Sequence, residues 1–546
     1  MKFLLILALQ TADVSEMERL AIQHGNRLKP FDTFAREMMS RWTGRESKNP
    51  TASILDVVFR SEESGRKEFF RVQHPELKKK LGLSEDRHRF SVEELEARRD
   101  VLESLHQKAS QMAERDRGPL DRAVLDLGSA YTEYVLVSHE VLLRVIPIEY
   151  GANGSWVSPF HLREFLRPSE EPPPMEEDLA ASAVAMRAVP RERLESLLGM
   201  WETLRRAWGG GEFAAASRKF VEAMRELNPS RYPDRKLLES EVRYHRIRPF
   251  TWAAALYGGT FLLFLFSSIF ASRILWGGGI FVLLSAMGVH LYSYFWRWEI
   301  AQRFPLSNQY EAMLAIAFLV STIALIFECV LRSRFIGLGA GLIGGVMISL
   351  ADAVSDFSPY IKALPPALQS IWMTIHVPTI LTGYSCGALM AVLGHIYIFT
   401  YLFAPARQET LKRLDTYLYR VLQVTVLFLL SGLILGGIWA KEAWGRFWGW
   451  DMKETWALIS FLGYLATLHA RFAGAIKGLG TAVCSILGVT LVFLTFYGVN
   501  YIFGRGLHTY GFGAGSWTPL LAFFAAEAAV AGSAFVVFLG RRRSAA

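Results

Sequence analysis

Cysteine is scarce in this chain. Its 546 residues include three, Cys329, Cys386 and Cys484, each inside an apolar run. None pairs as Cys-x-x-Cys, so a disulfide framework has no basis. The absence of Cys-x-x-Cys-His means that the chain is not itself a c-type cytochrome. Dense basic blocks are also missing. The net charge is +8, but no basic block stands beside exposed aromatics in the first half, and nucleic acid is excluded as a partner. Residues 1–245 lack long apolar runs. Their histidines, His24, His74, His88, His106, His139, His161 and His245, lack metal-ligand spacing and read as surface or structural.

What is present is unevenly spread. Residues 1–245 are rich in charge, whereas residues 250–540 are apolar spans with short connections. This is a soluble domain followed by a polytopic membrane domain. About nine runs approach the ~20 residues that a crossing helix needs. They lie near 251–270, 275–295, 310–331, 335–357, 376–403, 417–440, 455–472, 479–503 and 517–540. The expected fold is an all-α polytopic membrane protein of about nine transmembrane helices with a mainly helical N-terminal soluble domain.

Lys and Arg orient the spans. One set of connections holds Arg273, Arg332, Arg334, Arg407, Lys412, Arg413, Arg420, Arg471, Lys477 and Arg541–Arg543. The opposite set holds Arg297, Arg303, Lys362, Lys441, Arg446, Lys453 and Arg505. Twelve against seven places the first set in the cytoplasm. The soluble domain, residues 358–375, the tryptophan stretch and residues 504–516 are then external. Export of the soluble domain needs a signal. Lys2 and the apolar Phe3–Leu9 resemble a very short signal segment ending near Ala12, the alternative being a buried N-terminal strand.

Within the soluble half, Gly25 to Arg36 reads as a loop entering a helix. Ser91-Val-Glu-Glu94 is a capping-box signal for a charged helix running to about Arg117. Pro168–Pro174 reads as a linker. Helices are expected near 190–208 and 212–227, separated by Gly209–Gly211.

The stretch Trp444 to Trp456 carries four tryptophans in thirteen residues, more than membrane anchoring requires. If it is helical, Trp444, Phe447 and Trp448 share one face. Gly445 and Gly449 leave the backbone open to a flat ligand. The competing reading is an interfacial aromatic belt. His376 at the start of the fifth span and His508 after the eighth fall on the same side as this stretch. Neutral imidazoles from two sides can hold a haem iron. His290, His395 and His469 fall within spans or near their inner ends, where a polar group is costly. His469 is the strongest candidate among them. His290 and His395 are also readable as interhelical hydrogen bonders. Asp451 and Glu454 have the spacing of a helix start.

The pattern Trp444-Gly-x-x-Trp448-x-Trp450-Asp451-x-x-Glu454-Thr455-Trp456 resembles the tryptophan-rich signature of haem-handling proteins. The surrounding chain resembles the CcsA (ResC) family of cytochrome c synthases of the system II pathway. Pro305-Leu-Ser-Asn-Gln-Tyr-Glu311, His376-Val, Leu468-His469-Ala-Arg471, Gly498-Val-Asn-Tyr501 and Gly506-Leu-His508-Thr-Tyr carry the likeness. The signature alone also fits CcmC and CcmF. The likeness covers residues 250–546, so the domains are 1–245, with a signal at 1–12, and 250–546. Segments such as Tyr244-His-Arg-Ile-Arg-Pro-Phe250 look like the external extension of enlarged members.

The resemblance implies a multi-pass protein of the bacterial inner membrane. It implies haem b presented at the outer face and attached to Cys-x-x-Cys-His of an apocytochrome c. His376 and His508 would be external ligands and His469 an inner one. Trp444, Trp448, Trp450, Asp451 and Trp456 would contact the porphyrin. Arg446 and Lys453 would receive propionates, or sit as charges at the lipid interface. No CcsB (ResB) half is visible, which implies a separate partner of that kind. A haem exporter or chaperone, and a polytopic transporter or sensor that binds no haem, are the alternative functions.

Overall fold

A computed structural model describes residues 13–113, 117–167, 177–354, 357, 359–364, 368–503, 508 and 517–545. The expected signal segment, the Pro168–Pro174 linker and Arg505 lie outside them. The chain divides into two compact units. One is Met1–Ile247 with Tyr360–Ala363, and the other is Arg248–Pro359 with Leu364–Ala546.

The first unit is mainly helical, with three short two-stranded antiparallel sheets. The segment expected to be a loop at Gly25 is one of them. Ala21–His24 pairs with Arg27–Pro30. Gly25 and Asn26 both take left-handed backbone, φ 61° and 58°, as the tightest hairpin turns require. Apolar side chains of the next helix, Phe31–Thr43, then enter a core with Trp156, Trp201 and Phe220. The capping box at Ser91 and Glu94 is present. The charged helix after it is interrupted: Val92–Glu96 is followed by Arg99–Gln111. Helices Arg191–Ala207 and Phe213–Leu227 match the expected pair.

The buried Glu140 carboxylate in this unit is paired. Glu140 accepts from Trp201 Nε1 at 3.0 Å and from Arg163 at 2.9 Å, and it also meets Arg205. Breaking such a buried pair costs several kcal/mol, about 3–5. Tyr360 donates to the Arg36 carbonyl at 3.1 Å, and the Ile361 carbonyl accepts from Arg27. These bonds fasten residues 360–363 within the first unit.

The second unit is a helical bundle. Among the described residues it holds nine long helices, labelled α1 to α9: Pro249–Phe270, Arg273–Ala301, Gln309–Leu331, Phe335–Ala353, Ile371–Phe403, Gln408–Trp444, Met452–Phe472, Leu479–Phe493 and Trp517–Ala545. α8 continues into a π-helix, Leu494–Phe503. Eight of the nine are long and apolar enough to cross a membrane. The other is α7, whose apolar centre lies between Lys453 and Glu454 at one end and His469 and Arg471 at the other. The chain is an all-α multi-pass membrane protein. A fully buried pair joins α2 to α3: Arg297 Nε donates to Glu311 Oε1 at 3.0 Å. Neither side chain is left to face hydrocarbon alone.

Candidate functional site

α5 and α6 approach closely around His376. A Cβ at Gly436 would stand 2.7 Å from His376 Cε1, so only glycine admits the imidazole there. Nδ1 of His376 lies 2.9 Å from the Gly432 carbonyl. A carbonyl can only accept, so Nδ1 carries the proton and Nε2 the lone pair. The main chain of α6 therefore sets this tautomer.

Three residues beyond Gly436 comes Trp439, which is 1% exposed. Its indole is nearly parallel to His376, at 7° and 6.1 Å between centroids. The same indole lies 5.4 Å from His508 and 4.5 Å from Trp444. Trp444 also meets His508 edge-on at 4.6 Å. The two histidines are 132 positions apart in sequence, yet both border one buried indole. Trp439 was missed because it precedes the tryptophan-rich stretch. The nearby Gly436-Gly437 pair in mid-helix, costly unless something packs against it, marks the approach of His376 and Phe447 rather than Trp439 itself.

The expected helical face of Trp444, Phe447 and Trp448 does not form. α6 ends at Trp444, and Gly445 takes φ 72° with its N–H on the Lys441 carbonyl. Residues 446–451 are non-helical. The backbone at Gly449 is not open either, because the Arg446 guanidinium covers it. Arg446 also donates to Glu454 Oε1 at 3.3 Å and faces the Trp444 ring at 5.8 Å. Trp448 and Trp450 form their own perpendicular pair at 5.8 Å. Trp448 Nε1 is a buried donor without a partner among the described residues. Trp450 is 70% exposed and has φ 58°. Trp456 stacks on Phe503, away from these contacts.

Asp451 joins two tasks. Its Oδ1 accepts from the Glu454 N–H at 2.9 Å, while Glu454 Oε2 accepts from the N–H groups of Gly449 and Asp451. That reciprocal cap starts α7, as the spacing suggested. Its Oδ2 lies 2.5 Å from His508 Nδ1. A carboxylate in this position fixes the ring and leaves Nε2 as the lone-pair nitrogen. Burial opposes ionisation of Asp451. The His508 hydrogen bond, with the Glu454 and Lys453 backbone N–H groups, outweighs it and holds the carboxyl below its ordinary value.

Asp451, Glu454 and His508 offer ligand atoms within 4.8 Å of one another, a set that could hold a metal ion. The carboxylate oxygens are already engaged in the cap, with Arg446 and with His508, so capping accounts for the cluster. Lys453 turns inward and donates to the Thr495 carbonyl at 2.9 Å and to Asn500 Oδ1 at 3.2 Å. His469 is exposed near the opposite end of α7, its Nδ1 donating to the Leu465 carbonyl at 2.9 Å. Eighteen residues of helix separate it from Asp451, about 27 Å. The structure thus gathers His376, His508, Trp444 and Asp451 around Trp439, with Arg446 beside them. It places Trp448 with Trp450, Trp456 with Phe503, Lys453 inward and His469 apart.

Comparison with known proteins places this assembly in a lineage. A family model described as cytochrome C assembly protein matches residues 306–508. The cytochrome c biogenesis protein CcsA of Trieres chinensis is 32% identical over 258 residues, covering 39% of this chain and 80% of that protein. That of Microcystis aeruginosa is 32% identical over 272 residues, covering 39% and 81%. Among solved structures, cytochrome c haem lyase CcmF overlays with a TM-score of 0.37 at 15% identity, covering 53% of this chain. This chain spans about half of that structure's length, 49%, and the overlay decides nothing. The match at 306–508 includes His376, Trp439, Asp451 and His508, and the relatives are covered over four-fifths of their length: the chain belongs to the CcsA family of cytochrome c biogenesis proteins.

Proposed function

We propose that this protein presents haem b, carried as its substrate, for covalent attachment to the Cys-x-x-Cys-His motif of an apocytochrome c. One observation supports the reading above the others. Two imidazoles bordering one buried indole each have Nδ1 committed to an oxygen acceptor, Gly432 O and Asp451 Oδ2. Each therefore offers Nε2, the arrangement an axial iron ligand needs. Trp439 and Trp444 supply apolar ring faces beside the imidazoles, and Trp448 and Trp450 form a second aromatic pair in the same stretch as Trp444. Trp448 Nε1, buried without a partner among the described residues, offers one hydrogen bond to a porphyrin carboxylate. Arg446 is the better candidate for a propionate, because Lys453 is occupied inside the fold.

In this reading the haem site faces the outside of a bacterial cytoplasmic membrane, as the Lys and Arg distribution suggests. The first unit lies on the same side. His469, near the other end of α7, holds haem on its way in, together with a histidine from a separate CcsB-like membrane protein. The acceptor brings its own thiols, so this chain's contribution is positioning rather than acid–base chemistry.

The test is an absorption spectrum of the purified protein loaded with haem. The wild type should show a bis-histidine spectrum. His376→Ala and His508→Ala should each lose or shift it and abolish holocytochrome formation in a host lacking its own maturation system. Wild-type spectra from both variants would remove the assignment. Normal haem binding without holocytochrome product would favour a haem chaperone instead.

A further inference from the structure

The helix that leads toward His508 has an unusual register. Leu494–Phe503 is a π-helix of ten residues, whereas π-turns are rare and mostly single. A run this long needs an outside partner to hold it.

α7 provides that partner along one face. Lys453, Trp456 and Ser460 recur at i, i+3 and i+7. The Thr495 hydroxyl is 3.1 Å from the Trp456 carbonyl and 3.0 Å from Ser460 Oγ. The Lys453 ammonium donates to the Thr495 carbonyl and to Asn500 Oδ1. Thr495 and Asn500 are five residues apart, the two ends of one π-turn. In an α-helix the residue over Thr495 would be Val499, whose side chain has no oxygen. The ammonium thus bridges a pair that only the wide register brings together. Asn500 is oriented for this bridge: its amide nitrogen donates to the Phe496 carbonyl and to Gln309 Oε1, each at 3.0 Å.

The first turn of α7 therefore acts at two points of the segment that delivers His508. Lys453 holds the π-helix, and two residues earlier Asp451 holds the imidazole. Relaxing one π-turn to α shifts the register by one residue and rotates the downstream chain by about 100°. We infer that Lys453 is a positioning residue for His508: it keeps Leu494–Phe503 in the wide register from which the chain places His508 at Asp451. Its importance for haem rests on the proposed role of His508 as an iron ligand. The positioning itself does not.

The experiment separates the two. Full-length Lys453→Met, Lys453→Arg and wild-type proteins are treated, free of haem, with diethyl pyrocarbonate, and labelling of each histidine is read by mass spectrometry. Lys453→Met should raise His508 labelling several-fold and leave His469 unchanged. Lys453→Arg, which still presents several donors, should restore protection. Asn500→Leu removes the far acceptor, leaves Lys453 in place, and should repeat the rise should Lys453→Met not accumulate. Haem-loaded Lys453→Met should then show the loss of one axial imidazole, recovered by added free imidazole. Wild-type labelling of His508 in both Lys453→Met and Asn500→Leu would overturn the inference. Raised labelling with an unchanged haem spectrum would support the positioning and refute His508 as a ligand.

Discussion

Asp451→Asn should release His508 while leaving α7 capped. Asn is as good an N-cap as Asp, so the 2.9 Å bond from the Glu454 N–H is retained. What disappears is the charge facing His508 Nδ1 at 2.5 Å. A hydrogen bond to a charged group contributes about 1.5–3 kcal/mol and a neutral one about 0.5–1.5. The loss is roughly 1 kcal/mol, about fivefold in the population of correctly held imidazole. A second effect has the same sign. With the single amide oxygen kept on the Glu454 N–H, the NH2 faces the ring in place of Oδ2, making Nδ1 the acceptor and placing the proton on Nε2, where it blocks iron binding. Haem titration of the purified variant should therefore show several-fold weaker binding and a mixed spectrum, with thermal stability near wild type. Asp451→Ala should add about 1 kcal/mol of lost stability through the missing cap. Wild-type haem affinity and spectrum in Asp451→Asn, alongside a defective His508→Ala, would refute the reasoning.

Two other substitutions probe the remaining parts. Gly436→Ala puts a methyl group 2.7 Å from His376 Cε1; overpacking of this kind costs about 1–3 kcal/mol, and haem loading should fall while His508 labelling by diethyl pyrocarbonate stays at the wild-type level. His469→Ala should lower haem loading in cells, while the haem that does arrive keeps the bis-histidine spectrum. Normal occupancy and cytochrome yield in a well-expressed His469→Ala protein would end the conduit role.

The spans were readable because each is a local property. Hydropathy over some twenty residues needs no knowledge of neighbours, and each expected run overlaps one of the nine helices. The cap at Asp451 and Glu454 was readable for the same reason, its partners being three residues apart. What the sequence hid lies between distant positions. His508 meets Asp451 across 57 residues, and Lys453 meets Asn500 across 47. No periodicity announces such pairings. Trp439 was hidden differently: one indole in an apolar helix resembles any core residue, and only its two imidazole neighbours distinguish it. The hairpin at Gly25-Asn26 was a local signal passed over in favour of the adjoining helix. The helix end at Trp444 turned on the backbone angle of Gly445, where a helical repeat of aromatics pointed the other way.

The locks on the two imidazoles are made of different material. His376 is held by a peptide carbonyl, which every residue at position 432 would carry. His508 is held by a carboxylate, which a single codon change removes. A carboxylate partner also makes an imidazole a stronger electron donor than a neutral carbonyl does. In the proposed haem site the two nitrogens would therefore be unequal, with His508 the richer donor. A change at position 451 would adjust that side of the proposed metal, while no side-chain change alters the chemistry of the carbonyl that holds His376. The site has one dial and one fixed post.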